Sequence, residues 1–353
     1  MRIVIHAGMH KTGTSSVQDY FFARCPAEIA YPNWLEANLC GLFILLFEAP
    51  ERLASYHGFR ARGPEFTDTL PALRAENMAR FSAFLDENRD RTVLFSAEDI
   101  SSPEFRGAVV RMRDFLRRWT QDIEVIIYAR SALDFAVSAF QQNIKDGGMQ
   151  QLELGELWPY FRDRIEGLDE IFGREHVTVR HYSRETLKDG DIVTDLIDAL
   201  GLPPPVDPPP ESNTALSAEA TGLLLLQRKM GVGYISGFES AQADNNRFID
   251  LLSEIGTHRL TFSDALWQPV ADAHIEDQAW MDQRLGGTLK NSSRSPNPKS
   301  LAIGSEQDLI VIGLSSAAEL ERLLAREMER TSTDLLNRIL RAVEMLRVLA
   351  AIP

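Results

Sequence analysis

An α/β fold, a central parallel sheet flanked by helices with a helical C-terminal extension, is predicted by three observations in this chain of 353 residues. Short runs rich in β-branched residues alternate with longer helical patterns, as in strands joined by crossover helices. Between the first run and the first helical pattern lies "HAGMHKTGTSSVQ", residues 6–18, in which Gly8 and Gly13 have the spacing of a phosphate-binding loop. The stretch "GLPPPVDPPPES", residues 201–212, then ends the alternation, because six prolines in twelve residues forbid helix and favour an extended linker.

The strands are expected at residues 2–6, 92–95, 124–128 and 177–181, each followed by a polar turn and a helical segment. A long insertion at residues 26–90 carries apolar and aromatic clusters around Trp34, Phe43 and Phe47 and a helix near 72–88. It either builds the acceptor side of a site or packs into the core. After the prolines, helices are expected at 215–229, 243–254 and 275–285, then a loop at 291–300 and a strand at 309–312. A helical tail at 317–351 carries an apolar stripe of Leu320, Leu324, Met328, Leu335, Leu336, Ile339, Leu340, Val343 and Leu346. That stripe suits docking on the chain's own body or a homodimer through the C-terminal helices. Residues 1–300 read as one α/β domain containing the linker, and 301–353 as a mainly helical extension; no internal repeat is visible.

Apolar residues at 44% and charged residues at 25% are ordinary for a chain that folds around a core. Fifty-one acidic against 37 basic residues, a net charge of −14, argue against a general nucleic-acid binder, so any anion site is local. Cys25 and Cys40 form neither a CxxC pair nor a multi-bridge framework, which points to reduced thiols in a cytoplasmic protein, one disulfide being the alternative. The N-terminus enters directly on "RIVIHAG", so no secretory signal is expected, and the longest apolar run, "LFILLF" at 42–47, is too short for a transmembrane segment.

In an open parallel sheet, ligands collect beyond the carboxyl ends of the strands. The first strand ends in His10, Lys11, Thr12, Gly13, Thr14, Ser15 and Ser16, the second in Ser96, Ala97 and Glu98, the third in Ala129, Arg130 and Ser131. Glycines let the first loop turn tightly, the following helix offers N–H groups and a positive dipole end, and the hydroxyls donate to oxygens; an ordinary strand-to-helix turn is the alternative. Arg130 leaves the strand "EVIIYAR", Ser131 is a candidate N-cap, and Ser138 falls in the first two turns of the next helix. Arginine and serine there suit a second phosphate, or a surface ion pair.

Taken together, these segments resemble the sulfotransferases that use 3′-phosphoadenosine 5′-phosphosulfate. "HAGMHKTGTSSVQ" is similar to the family's 5′-phosphosulfate loop, in which lysine precedes Thr-Gly-Thr, and "YARSALDFAVSAFQQNIKDG" to its 3′-phosphate segment, with a serine eight positions after the arginine. "VRHYSRETLKDGDIVTDLIDALGL" and "ESNTALSAEA" resemble the later strand-plus-helix and Asn-x-x-Leu-Ser segments, so the likeness spans roughly residues 1–290. The resemblance implies a P-loop-type sulfotransferase fold. It implies that Lys11 contacts the 5′-phosphate and its bridging oxygen, that Gly13, Thr14, Ser15 and Ser16, with Thr12 in the same loop, hold the rest of that group, that Arg130 and Ser138 hold the 3′-phosphate, and that Tyr182 touches adenine. The family's glycine- and lysine-rich C-terminal loop has no clear counterpart; Lys290, Arg294 or Lys299 would substitute.

Sulfuryl transfer builds charge on the bridging oxygen, which Lys11 and backbone N–H groups would stabilise without a metal, leaving adenosine 3′,5′-bisphosphate as product. The acceptor hydroxyl or amine, on a small molecule, glycan or lipid, needs a base. Glu98 is the first choice, since "Ser-x-Glu" after this strand resembles bacterial members of the family; a structural carboxylate is the alternative. His10 follows, then Asp99 and His6. Two other readings stay open. "VLFSAED" read as a magnesium-binding strand end suits a P-loop kinase or nucleotidase, although Thr14 stands where its lysine belongs, and a non-catalytic nucleotide-binding member keeps the same loops.

Overall fold

The computed structural model describes residues 1–203, 215–231, 239–289 and 299–330, with Ile339 and Val343. Most of the proline-rich linker, most of the 291–300 loop with Lys290 and Arg294, and most of the tail beyond residue 330 lie outside the described residues.

The chain alternates as expected: β1 (Arg2–His6), α1 (Thr14–Arg24), β2 (Ile29–Ala30), α2 (Cys40–Phe47), α3 (His57–Arg60), α4 (Pro64–Glu87), β3 (Thr92–Ser96), α5 (Arg106–Leu116), β4 (Ile123–Ala129), α6 (Ala132–Lys145), α7 (Phe161–Phe172), β5 (Val177–His181) and α8 (Ile192–Ala199). The five strands form one parallel sheet in the order β2-β3-β1-β4-β5, flanked by helices. The strand β1 is central because Ile3, Val4 and Ile5 are apolar on both faces and fully buried, as a strand covered on both sides requires. Its His6 stands level with Ser96 of β3 and Ile126 of β4, so the loops after β1, β3 and β4 open side by side at one edge. The sheet order reverses at β1, which puts a crevice there.

The insertion packs mainly into the core. Phe47 meets Phe81 and Phe115 at ring separations of 6.3 and 5.5 Å, and Trp34 lies 5.5 Å from Phe84. The helices α2 and α3 and the two-residue edge strand β2 exceed the sequence reading of this insertion, and α4 is longer than expected, its start set by Gly63 (φ 88°) and Pro64 in its first turn. Cys25 and Cys40 are free thiols. Among the described residues no helix is long and apolar enough to cross a membrane.

Beyond the linker come α9 (Ala218–Met230), α10 (Glu239–Leu252), β6 (Arg259–Phe262), α11 (Asp264–Ala273), α12 (Ile275–Leu285), β7 (Ser300–Ile303), α13 (Glu306–Ser315) and α14 (Ala317–Arg330). The strand expected at 309–312 is corrected to helix. Ser305 caps α13 by accepting from Asp308 N, and the apolar run buries Leu309 and Gly313, so "LIVIG" serves a buried helix that short periodicity does not distinguish from a strand. Helices α9 and α13 cross with Gly222 against Gly313; a Cβ at Gly222 would sit 2.2 Å from Leu309 O. Gly222→Ala must force the helices apart and is expected to cost about 1–3 kcal/mol, read as a lowered urea midpoint at unchanged slope. Strands β6 and β7 form a small parallel sheet, and α14 leaves Leu320 and Leu324 exposed.

One link from this second half matters for the site. Asp277 of α12 accepts from Phe161 N (3.0 Å), Arg162 N (2.8 Å) and Trp158 Nε1 (2.6 Å), satisfying first-turn donors of α7 that no local side chain caps. Trp158 is held in turn by stacking on His274 at 4.6 Å and Trp267 at 5.9 Å.

Candidate functional site

The loop from Ala7 to Gly13 is shaped by its backbone. Gly13 (φ 74°) is the N-cap of α1, and no side chain caps that helix, so its first-turn N–H groups face the crevice uncapped. A Cβ at Gly13 would also approach Ile192 Cγ2 to 3.0 Å and Tyr182 Oη to 3.2 Å. Lys11 adopts φ 68°, a left-handed conformation that costs a non-glycine residue roughly 1–2 kcal/mol. Thr12 is buried and donates to Met9 O at 2.6 Å, which closes the loop on itself. Thr14 is also buried, but its Oγ1 has no partner. Ser15 is exposed and Ser16 half-buried on the first turn of α1.

Strand β4 delivers Arg130 to the same place, and the predicted Ser131 cap forms, its Oγ accepting from Asp134 N at 3.3 Å. Arg130 Nη1 donates to Lys11 O (3.2 Å), and its guanidinium lies 5.7 Å from the Tyr182 ring centroid. Lys11 Nζ reaches the other way, donating to Gln142 Oε1 of α6 at 2.7 Å. Burial pulls the Arg130 pKa below its ordinary value, with Arg259 adding to the lowering and Asp134 and Tyr182 opposing it. Burial also lowers Lys11, opposed by Glu98 and Asp146. Two cations thus sit partly desolvated in a chain of net charge −14, at the one edge where the loops meet.

Glu98 and Asp99 follow β3 in a 3₁₀ turn, Glu98–Ser101. Burial pushes the Glu98 carboxyl up to about 7, Lys11 pulling it down and Asp99 adding to the rise. Its side chain is 16% exposed, and His10 Nε2 lies 3.7 Å from its Oε2 and 3.9 Å from Asp99 Oδ1. Asp99 is further held by Tyr56 Oη at 2.9 Å. Burial, then Arg164, lowers the His10 pKa, which leaves a neutral, half-exposed imidazole beside the two carboxylates. Arg164, on α7, donates through Nε to Pro159 O at 2.8 Å and has its own pKa lowered by burial and raised by Asp99.

Lys11, Gly13, Thr14, Arg130 and Tyr182 therefore converge, as do His10, Glu98 and Asp99 beside them. Ser138 lies half-buried on the second turn of α6, with no hydrogen bond to Arg130. His6, offered as a remote candidate for the base, is fully buried and lowered to about 4 by that burial, so it is neutral and closed off from solvent. Lys299 is exposed just before β7. The sequence reading missed Gln142, Arg164 and Arg259. Gln142 was accessible, because it stands four residues after Ser138 on the same helix face. Arg164 and Arg259 reach the site only through tertiary packing, and no local pattern marks them.

No protein-family profile matches the chain, and no curated protein matches it significantly. Among solved structures, a sulfotransferase from Alicyclobacillus acidocaldarius is similar with a TM-score of 0.43 and 15% identity, over 82% of this chain and 97% of that one. A likeness of that size assigns no residue its role.

Proposed function

We propose that the chain is a sulfotransferase that moves a sulfuryl group from 3′-phosphoadenosine 5′-phosphosulfate to an acceptor hydroxyl or amine. The observation that carries this reading is the contact between two segments 119 positions apart, Arg130 Nη1 on Lys11 O, with Tyr182 packed against both Gly13 and Arg130. One anion cradle is the uncapped start of α1 with the unpartnered Thr14 hydroxyl; the other cation, Arg130, has no carboxylate within ion-pair distance among the described residues. Two separated phosphates on one nucleoside match that pair of features. The donor supplies an activated sulfuryl group on its 5′-phosphate. Lys11 and the N–H groups of α1 stabilise negative charge at that phosphate, and Glu98 accepts the acceptor's proton. A carboxyl near 7 is a base of suitable strength at neutral pH, and neutral His10 does not pair off its charge.

Adenosine 3′,5′-bisphosphate is expected to stabilise the protein without magnesium, by about 2.7 kcal/mol at 100 times its dissociation constant, and ATP with magnesium much less. The reverse order in a thermal-shift titration would favour a kinase, for which Glu98 and Asp99, in the turn that follows the strand beside β1, stand where an acid would hold magnesium. Arg130→Ala should weaken the bisphosphate about 10- to 100-fold, the worth of a charge-assisted hydrogen bond, and leave adenosine 5′-phosphate nearly unchanged by calorimetry.

A further inference from the structure

Two buried polar atoms under the loop have no partner: His6 Nε2 and Thr14 Oγ1. Both face Gly8, since a Cβ there would lie 2.7 Å from Thr14 Oγ1 and 3.2 Å from His6 Nε2. The opposite ring nitrogen, Nδ1, is 2.8 Å from the buried Ser96 Oγ. His6 and Ser96 are fully buried and Thr14 nearly so. Leaving a buried donor or acceptor unsatisfied costs roughly 1–3 kcal/mol, so a loop that keeps two such atoms on either side of Gly8 is one in which something completes them.

We propose that His6 is a positioning residue for the phosphate loop: Ser96 donates to its Nδ1, its Nε2–H closes on Thr14 Oγ1 when an anion enters the loop, and the Thr14 hydroxyl thereby directs its own hydrogen at the bound anion. A hydroxyl rotates freely and has both a hydrogen and lone pairs to offer. When Nε2–H occupies a lone pair, the remaining hydrogen points away from the imidazole and into the loop. The opposite tautomer would draw that hydrogen down to Nε2 and present oxygen lone pairs to the anion, which repels it. Burial keeps the imidazole neutral, so the relay carries direction without adding charge. Gly8 is needed because a Cβ there would crowd Thr14 Oγ1 at 2.7 Å and the His6 ring at 3.2 Å. This inference rests on the anion-binding part of the proposed function and not on the sulfuryl chemistry.

The test is a double-mutant cycle on ligand affinity. Asn at position 6 keeps an atom where Nδ1 stands and loses Nε2, whereas Gln extends a donor to the Nε2 position. His6→Asn and Thr14→Val should each weaken adenosine 3′,5′-bisphosphate about tenfold, the pair together no more than about tenfold, and His6→Gln less than threefold. Nitrogen-15 shifts of His6 in the wild-type complex should show Nε2 protonated and Nδ1 bare. Additive losses, an unaffected His6→Asn, or a complex with Nδ1 protonated would overturn the proposal; the nitrogen shifts decide it even where His6→Asn fails to fold. Inorganic phosphate serves as the second probe. If the wild type binds phosphate and not the bisphosphate, the sulfotransferase reading fails and the cycle, run on phosphate, still decides on His6; binding of neither overturns both.

Discussion

Glu98→Gln is expected to lower sulfuryl transfer by about 10²- to 10⁴-fold while making the folded protein more stable at pH 8. Both effects come from one environment. The folded chain holds the Glu98 proton up to about pH 7, whereas the unfolded chain releases it near 4.5. Between those values the folded state binds more protons, so stability falls as pH rises through the window, by up to about 3 kcal/mol before allowance for the 16% of the side chain left in water. Glutamine removes that loss. Melting curves at pH 5 and pH 8 should therefore converge in the variant, and the ascending limb of the wild-type pH–rate profile, with its midpoint near 7, should vanish. Unchanged turnover in Glu98→Gln would remove it as the base, and an unchanged pH dependence of stability would mean that its carboxyl is not perturbed.

Lys11→Met is expected to cost about 10²- to 10³-fold in kcat, the usual loss when one preorganised group facing developing charge is removed, with a smaller effect on acceptor KM. Methionine keeps the stem and the volume but removes the charge and the hydrogen bond to Gln142. Because Lys11 helps to hold the neighbouring carboxylate ionised, the variant should also move the Glu98 midpoint upward, which the same pH–rate profile reads. A shift without a loss of rate would make Lys11 an electrostatic neighbour only.

The sheet and the loop were legible because their signals are local. β-Branched runs mark the four long strands, and two glycines, a lysine and three hydroxyls mark the turn after the first. The order of the strands, with β1 in the middle, was not read, because β1, β3 and β4 are alike apolar on both faces. What was not legible depends on distance. The strand β2 is two residues long and exists because β3 offers it an edge; α13 reads as a strand because its apolar run is short and its helical partner α9 is about ninety residues earlier. Arg164 is placed by a helix start whose cap is a remote aspartate, so its neighbourhood contains no hint of its role. His6 carried a signal that pointed the wrong way, since a histidine beside a phosphate loop suggests a base until its burial is known.

The capping of α7 by Asp277 also has a temporal meaning. The carboxylate that receives the Arg162 N–H is synthesised 115 residues after it, when the whole five-stranded sheet has already left the ribosome. The phosphate loop, the strand that bears it and both of that strand's neighbours are complete by residue 129. The cap of the helix that carries Arg164 comes only with α12. The nascent chain thus completes the glycine-containing loop and the strands beside it first, and the aspartate that caps the helix carrying Arg164 comes last.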